Sequence, residues 1–266
     1  MNNQRSHRMP AVFFGHGSPM NTFARNQYTA AWRKIGSSAP RPHAILAISA
    51  HWYIRGTAVT AMETPQTVHD FGGFPKALFE FQYPAPGSPA LAKKVRDVLA
   101  PLAVGLDKSW GLDHGTWSVL AHAFPQADIP VVQLSIDATR PPAFHYELGQ
   151  RLAPLRDEGV FIVGSGNVVH NLRVIQRDSD APACDWAVRF NDAVRDHLSR
   201  RDHQPLLDYE RMGEDARLSI PTPEHYLPLM YIIGLQGEAE PMTVAVDGIQ
   251  NASISMLSVV VGEVNR

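Results

Sequence analysis

Histidine is the residue type in this chain that is best placed to do chemistry. The 266-residue sequence holds 12 histidines and one cysteine. Three of the histidines stand where the chain is predicted to turn, at the ends of strands or in loops: His16 in GHGSP, His51 in SAHW and His225 in TPEHY. Imidazole is a common side-chain ligand for zinc and iron at neutral pH. Because an apolar strand that stops at Gly-His-Gly delivers its side chain to the mouth of a sheet, the pattern predicts a metalloenzyme.

Each of these histidines also has a structural interpretation. His16 is compatible with a turn between glycines, His51 with the cap of a buried strand, and His225 with the start of a helix over the apolar run 226–235. His170, in GNVVHN, again follows a strand and a glycine turn. His114, in DHGTW, fits an active-site donor and a helix N-terminal residue equally well.

The remaining histidines are expected to have no catalytic role. His69 and Asp70, on a loop rich in aromatic residues, are predicted to be structural or peripheral. The others stand on predicted helices, tails or charged stretches and are predicted to be solvated: His7, His43, His122, His145, His197 and His203.

Composition restricts the class of protein. A net charge of -2 and a pI near 6.6 give no reason to expect nucleic acid or an anionic membrane as partner. The longest apolar runs, 44–50 and 256–261, are too short to span a bilayer. A single cysteine, Cys184, excludes a disulfide framework and a multi-cysteine zinc site within one chain. With no secretory signal predicted at 1–10, we expect a cytoplasmic protein, and the sequence allows a homo-oligomer.

Short apolar runs alternate with segments of helical period. Strands are predicted at 11–14, 44–49, 58–62, 131–136 and 160–164, with strand-like sequence again at 242–261. Helices are predicted at 90–99, 143–157 and 185–200, the second of them interrupted at Pro154. Several strands are apolar on both faces, as in sheets covered by helices on both sides. We therefore predict an α/β fold with a central, mostly parallel or mixed sheet, as a single catalytic domain over 1–266.

Several familiar motifs are absent. There is no Walker A sequence and no HExxH, and the stretch 164–167 (GSGN) lacks the third glycine of a dinucleotide fingerprint. Ser165 does not stand in Gly-x-Ser-x-Gly, so the sequence does not predict a nucleophile elbow there. The functional prediction therefore depends on the histidines.

Five ordered motifs together resemble those of the DOPA 4,5-dioxygenase family: GHGSPM, SAHW, DHG, GSGNVVHN and TPEHY. This family is a branch of the class III extradiol ring-cleaving dioxygenases, related to the protocatechuate 4,5-dioxygenase catalytic subunit. The resemblance runs nearly end to end. It implies one metal per subunit and cleavage of a catechol, such as L-DOPA, by O2. In the bacterial proteins that the sequence resembles, four histidines are associated with zinc, and they correspond to His16, His51, His170 and His225.

The expected chemistry assigns roles to two of the histidines. Reaction of triplet O2 with a singlet catechol is spin-forbidden, so a redox-active ion with open positions is required. The resemblance and a three-histidine set lead us to expect Zn2+ in the isolated protein, whereas the oxygen chemistry requires Fe2+, because zinc has no redox chemistry. His170 is predicted to transfer protons and His114 to stabilise negative charge, oriented by Asp113. Whether His170 is also a ligand, and whether Glu224 or His225 is the third ligand, stays open at this point.

The substrate and the reaction class each leave an alternative. The aromatic loop 71–83 is predicted to wall an apolar ring pocket, and Arg173 to pair with a substrate carboxylate, although it fits a surface arginine equally well. A zinc hydrolase that uses the same histidines is the second reading of the site. A metal-storage protein is the third, and it would have no need of His114.

Overall fold

A mixed β-sheet forms the centre of the molecule in a computed structural model that describes residues 8–264. His7, one of the predicted surface histidines, lies outside the described residues. The strands are β1 (Ala11–Gly15), β2 (Ala44–Ile54), β3 (Thr57–Thr60), β4 (Val104–Asp107), β5 (Val131–Asp137), β6 (Val160–Gly166), β7 (Met242–Val246), β8 (Ile249–Gln250), β9 (Ile254–Ser255) and β10 (Ser258–Val261).

The helices alternate with these strands along most of the chain. They are α1 (Gln27–Ser38), α2 (Lys76–Glu80), α3 (Pro89–Val98), α4 (His114–Ala123), α5 (Pro142–Leu152), α6 (Pro154–Asp157), α7 (Asp185–Ser199), α8 (Gln204–Leu207), α9 (Glu214–Ser219) and α10 (Leu227–Gly234). Two short 3-10 turns cover Pro19–Thr22 and Tyr209–Met212. No helix within residues 8–264 combines the length and the apolar character needed to cross a membrane.

The four central strands of the sheet are parallel and are flanked by antiparallel pairs, while the edge strand β4 is parallel to β3. Its order is β4-β3-β5-β2-β6-β1-β10-β7. The strands β5, β2, β6 and β1 run parallel to one another, whereas β3 is antiparallel to β5, and β10 is antiparallel to both β1 and β7. The carboxyl ends of four neighbouring strands therefore meet along one edge of the sheet, which is where open α/β sheets place ligands.

Helices cover both faces of this sheet. On one face, Leu46 and Ile162 of the sheet pack in a common core with α5, α7 and α10. On the other face, Ile45 and Phe161 pack with Trp32 of α1 and Trp117 of α4. Neighbouring residues of one strand thus enter opposite cores, which explains why these strands read as continuously apolar. The α/β fold with a mixed sheet covered on both faces is confirmed.

The predicted elements agree with the structure to within a few residues. The helix predicted over 143–157 is divided into α5 and α6 at Pro154, because the proline ring cannot continue a regular helix. The helix predicted over 185–200 is α7. The elements α1, α2, β4, α4, α8 and α9 lie outside the predicted set.

Candidate metal centre

His16 and His51 meet at the carboxyl ends of the parallel strands. His16 directly follows β1, and its backbone N–H donates to the carbonyl of Gly166 at 3.1 Å. The sequence predicts His51 at the end of a strand, but in the structure it lies inside β2. The pairing of β2 with β6 ends at Ser49, and its pairing with β5 passes irregularly from Ile48 to Tyr53. Such a bulge re-aims side chains, and it places His51 beyond the regular ladder.

His225 reaches the same point from the turn before α10. Its carbonyl accepts a hydrogen bond from the N–H of Asn167 at 2.8 Å. At Gly166, a Cβ atom would lie 2.1 Å from that carbonyl oxygen, so only glycine allows this approach. The end of β6 therefore fixes the backbone of both His16 and His225.

The three imidazoles face one another around a common point. The Nε2 atoms of His16 and His51 are 3.2 Å apart. The ring centroids are separated by 5.1 Å for His16 and His51, 5.4 Å for His16 and His225, and 5.0 Å for His51 and His225. One ligand atom from each residue lies within 4.8 Å of the others. Two nitrogens that bind one tetrahedral zinc at 2.0–2.1 Å stand about 3.3 Å apart, so the spacing suits a shared ion.

The hydrogen bonds at Nδ1 leave all three Nε2 atoms available. His16 Nδ1 lies 3.0 Å from Ser165 Oγ, which itself donates to the carbonyl of Gly115 and so must accept from the ring. His51 Nδ1 contacts the Asp70 carboxylate at 3.0 Å, and His225 Nδ1 contacts Glu224 at 3.2 Å. Because each Nδ1 donates, each Nε2 carries a lone pair when the ring is neutral. The short Nε2–Nε2 contact thus joins two acceptors, an arrangement that a cation between them makes favourable.

Burial and neighbouring charges favour ligand-competent rings. Burial, reinforced by the neighbouring histidines, lowers the pKa of His16 and of His225 well below the usual value. Burial also acts to lower the pKa of His51, but the hydrogen bond to Asp70 and the charge of Asp113 outweigh it and raise that pKa. A carboxylate behind an imidazole makes the ring a stronger ligand.

Asp70 lies at the centre of the site, and its prediction as a peripheral residue is wrong. Its Oδ2 contacts His51 Nδ1 at 3.0 Å, and its Oδ1 accepts from both Nδ1 and the backbone N–H of His114, each at 3.0 Å. Burial acts to raise the pKa of this carboxyl, but the hydrogen bonds from His114 and His51 lower it strongly. Asp70 is therefore ionised at neutral pH and orients two histidines at once.

His114 is the first residue of α4, and Asp113 is its N-cap. The Asp113 carboxylate accepts from the backbone N–H of Thr116 at 3.1 Å and from the side-chain amide of Gln133. It caps the helix in the usual way and makes no hydrogen bond to His114, so Asp70 takes the orienting contact that the sequence suggested for Asp113. His114 is a helix N-terminal residue, and it also lines the cavity. Its role as an active-site donor stays a prediction.

His170 lies against the cluster on the opposite side from His114. Its ring stacks on His225 with centroids 3.5 Å apart and an interplanar angle of 6°. The backbone is held by the carbonyl of Ser219 at 2.8 Å and by an isolated bridge to Ile254. Burial, followed by repulsion from His51, lowers its pKa to about 3. No hydrogen bond forms at its ring nitrogens within the described part of the chain.

These histidines line one cavity of ≈ 240 Å³. Phe71 and Phe74 from the predicted aromatic loop form one wall, and Leu172 and Ile175 form the other. The aromatic loop therefore faces the site as the sequence predicts. Arg173, the predicted carboxylate partner, is exposed and does not line this cavity.

Two histidines predicted at the surface are buried elsewhere. His122 is 8% exposed, with its ring between Arg33 and the carbonyl of Asn21, and His145 is fully buried beside the hydroxyl of Tyr231. His43 is exposed, as predicted, whereas His197 and His203 are half-buried. The prediction failed for His122 and His145 because α4 and α5 present those positions to the core.

Comparison with known proteins agrees with this arrangement. Residues 9–262 match the family described as catalytic LigB subunit of aromatic ring-opening dioxygenase. A protein of Escherichia coli (strain K12) named 4,5-DOPA dioxygenase extradiol is 55% identical over 261 residues, which cover 97% of this chain and 96% of the relative. A protein of the same name from Beta vulgaris is 41% identical over 234 residues, covering 85% and 86% of the two chains.

A solved structure is also similar. The crystal structure of an uncharacterised protein from Escherichia coli K12 superposes with a TM-score of 0.85 at 50% identity, and the match covers 96% of this chain and 100% of that one. The named relatives are dioxygenases, and nothing in the comparisons favours the hydrolase alternative. The chain belongs to the aromatic ring-opening dioxygenases of the catalytic LigB type, and it is a metal-dependent extradiol dioxygenase.

Proposed function

We propose that His16, His51 and His225 hold the metal through their Nε2 atoms. The short contact between the Nε2 atoms of His16 and His51 supports this set most directly, because two neutral rings protonated at Nδ1 direct their lone pairs at each other and a metal cation can bridge them. His225 is proposed as the third ligand in preference to Glu224, whose carboxylate contacts His225 Nδ1 and the hydroxyl of Thr222. Glu224 then orients the third ligand as Asp70 orients the second.

His170 is proposed as an acid–base group outside this ligand set. Imidazoles that bind one ion through in-plane lone pairs have centroids about 5 Å apart. The His16, His51 and His225 rings satisfy this spacing, whereas His170 and His225 stack in parallel at 3.5 Å. His170 lines the cavity, and its ring nitrogens make no hydrogen bond within residues 8–264. In the proposed role it takes a proton from a catechol hydroxyl and returns it to the product.

The His114–Asp70 pair is proposed to stabilise negative charge that develops in the cavity. Nδ1 of His114 already donates to Asp70, so Nε2 can donate only when the ring is an imidazolium. Asp70 then supplies the counter-charge at 3.0 Å. The same carboxylate therefore supports a ligand and a donor, which adds negative charge to a site whose three proposed ligands are neutral.

Fe2+ is proposed for catalysis and Zn2+ for the protein as isolated. The three-imidazole donor set suits either ion. Iron(II) supplies the one-electron chemistry with oxygen that ring cleavage requires, which zinc lacks.

The proposed substrate is a catechol of the L-DOPA type, cleaved at the 4,5 bond by insertion of both atoms of O2 to give a muconate semialdehyde. The names of the relatives from Escherichia coli and Beta vulgaris support this choice. Phe71 and Phe74 offer an apolar wall for the ring, while the histidines face its hydroxyl pair.

A catechol screen tests the proposal. Full-length protein reconstituted anaerobically with Fe2+ is mixed with L-DOPA, and O2 uptake and the yellow absorption of a semialdehyde are followed. We expect uptake of one O2 per ring cleaved, with no activity in the zinc form. The absence of O2 uptake with every catechol tested, despite bound iron, would contradict the proposal.

A further inference from the structure

A groove of ≈ 600 Å³ continues outward from the candidate ring cavity. Ser18, Phe74, Ile175 and Asn251 line both spaces, so the two are contiguous. The inner cavity, at ≈ 240 Å³, is below the roughly 300–1,000 Å³ of pockets that enclose a whole drug-sized ligand. A catechol whose ring sits among the histidines must therefore extend its side chain into the groove.

The groove carries one charged side chain. Among its lining residues, Arg177 is the single ionisable group and none is acidic. Within residues 8–264 its guanidinium forms no ion pair or side-chain hydrogen bond, although most arginines of that range do, for example Arg156 and Arg189. The polar groups around it are neutral, among them Asn26, Gln250 and Asn251. This environment attracts an anion and offers an ammonium group no counter-charge.

Backbone hydrogen bonds to Asn251 hold the chain on both sides of Arg177. The backbone N–H of Gln176 donates to the carbonyl of Asn251 at 3.0 Å, and the Asn251 side-chain amide donates back to Gln176 at 2.9 Å. The N–H of Asn251 donates to the carbonyl of Ser179 at 3.1 Å. Arg177 is therefore held between two anchored residues at the rim of the groove.

Apolar side chains on the same segment face the ring cavity. Leu172 is 57% exposed and Ile175 46% exposed, yet both line that cavity. A bound aromatic ring would cover these two side chains, and exposed apolar side chains of this kind are typical of ligand sites. One segment thus offers apolar contact at the ring and a cation farther out.

We propose that Arg177 binds the carboxylate of the catechol side chain in this groove, and that an amino group beside the carboxylate is not recognised by charge. This rests on the proposed function, because it assumes that the ring occupies the histidine-lined cavity. The substrate class is therefore catechols with a carboxylate on a short aliphatic arm. The sequence suggested Arg173 for this role. Arg173, however, lines neither the cavity nor the groove, whereas Arg177 lines the groove.

The test compares Arg177→Gln with Arg173→Gln, which removes a matched exposed charge from the same segment. Steady-state kinetics of the iron-loaded, full-length variants use three catechols: 3-(3,4-dihydroxyphenyl)propanoate, L-DOPA and the neutral 4-methylcatechol. We expect Arg177→Gln to raise KM for both carboxylates about fivefold, or about 1 kcal/mol for a partly exposed ion pair, with 4-methylcatechol unchanged. Arg173→Gln should match the wild type with all three. The propanoate and L-DOPA should differ by less than about twofold in KM.

A binding measurement keeps this inference separate from the proposed function. Anaerobic calorimetry with the propanoate should show the same loss in Arg177→Gln even if no ring cleavage occurs. Added salt should weaken binding to the wild type more than to Arg177→Gln. Equal effects of the two arginine variants, or an effect of Arg177→Gln on 4-methylcatechol as large as on the carboxylates, would overturn the inference. A strong preference for L-DOPA over the propanoate would overturn its second part.

Discussion

Buried histidines occur in two kinds of surroundings in this molecule. At the carboxyl ends of the parallel strands, His16, His51 and His225 are turned towards one another, and their Nδ1 atoms are held by Ser165, Asp70 and Glu224. On the covering helices, His122 and His145 stand alone and bond to ordinary protein groups.

The two regions share properties that are often taken to mark function. Burial lowers the pKa of His122 and of His145, as it does at the cluster for His16 and His225. The two regions differ in the direction in which the lone pairs of the histidine ring nitrogens point. His122 meets a donor and an acceptor that satisfy it, whereas His16 and His51 present two Nε2 acceptors to each other at 3.2 Å. Convergence of acceptors, rather than burial, therefore distinguishes the proposed metal centre from the other buried histidines.

The largest effect is expected when one of the three converging histidines, His16, His51 or His225, is replaced. His51→Ala should lose bound metal and more than about 1,000-fold of the ring-cleavage activity, because one of the three proposed ligands is missing. Metal content by plasma mass spectrometry and O2 uptake measure the two losses. The matched control is His122→Ala, which should retain both. Full metal content in His51→Ala would break the distinction between the regions.

His170 provides the next test, because it stacks on His225 and is proposed to lie outside the ligand set. His170→Gln should keep stoichiometric metal while kcat falls by about 100- to 10,000-fold, the range for a lost acid–base group. The same metal and O2-uptake assays apply. Loss of metal together with activity would instead make His170 a fourth ligand.

Asp70 tests the hydrogen bonds behind the rings. Asp70→Asn should weaken metal affinity by about 10- to 100-fold, as expected when a carboxylate behind a ligating histidine is neutralised. Competition with a chromophoric chelator measures the affinity. Glu224→Gln is the control: Glu224 orients a single ring and is more exposed than Asp70, at 22% against 14%, so its effect should be smaller. The reverse order would contradict the central position given to Asp70.

Outside the metal centre, His145 should affect stability and leave activity unchanged. Burial lowers its pKa to about 4 from 6.5. The unfolded chain therefore binds more protons between pH 6.5 and pH 4, and stability falls as the pH drops through this window, by on the order of 3 kcal/mol. His145→Asn should flatten that loss in urea unfolding curves, with the exposed His43→Asn as control. An unchanged pH dependence in His145→Asn would contradict the assignment.

The sequence predicts the parts of this molecule that depend on local pattern. Apolar runs are enough to find β1, β2 and β6, and Pro154 is enough to divide α5 from α6. The histidines after β1 and β6 follow from the same pattern, because parallel strands bring their carboxyl ends together.

What the sequence misses depends on contacts between distant segments. Asp70 stands 44 residues before His114, and only the folded chain shows that its carboxylate joins His114 to His51. The irregular pairing that re-aims His51 has no marker in the apolar run of β2. For α1 a signal exists and was missed: Tyr28, Trp32 and Ile35 recur at helical spacing and are buried.

The most direct test of the central claim is a crystal structure of the metal-loaded protein with an anomalous map recorded at the metal edge. The account predicts one ion per chain, about 2.0–2.1 Å from the Nε2 atoms of His16, His51 and His225 if zinc is bound, with His170 stacked beside it and not bonded. An ion at any other position, or three separated rings without a shared ion, would contradict the account.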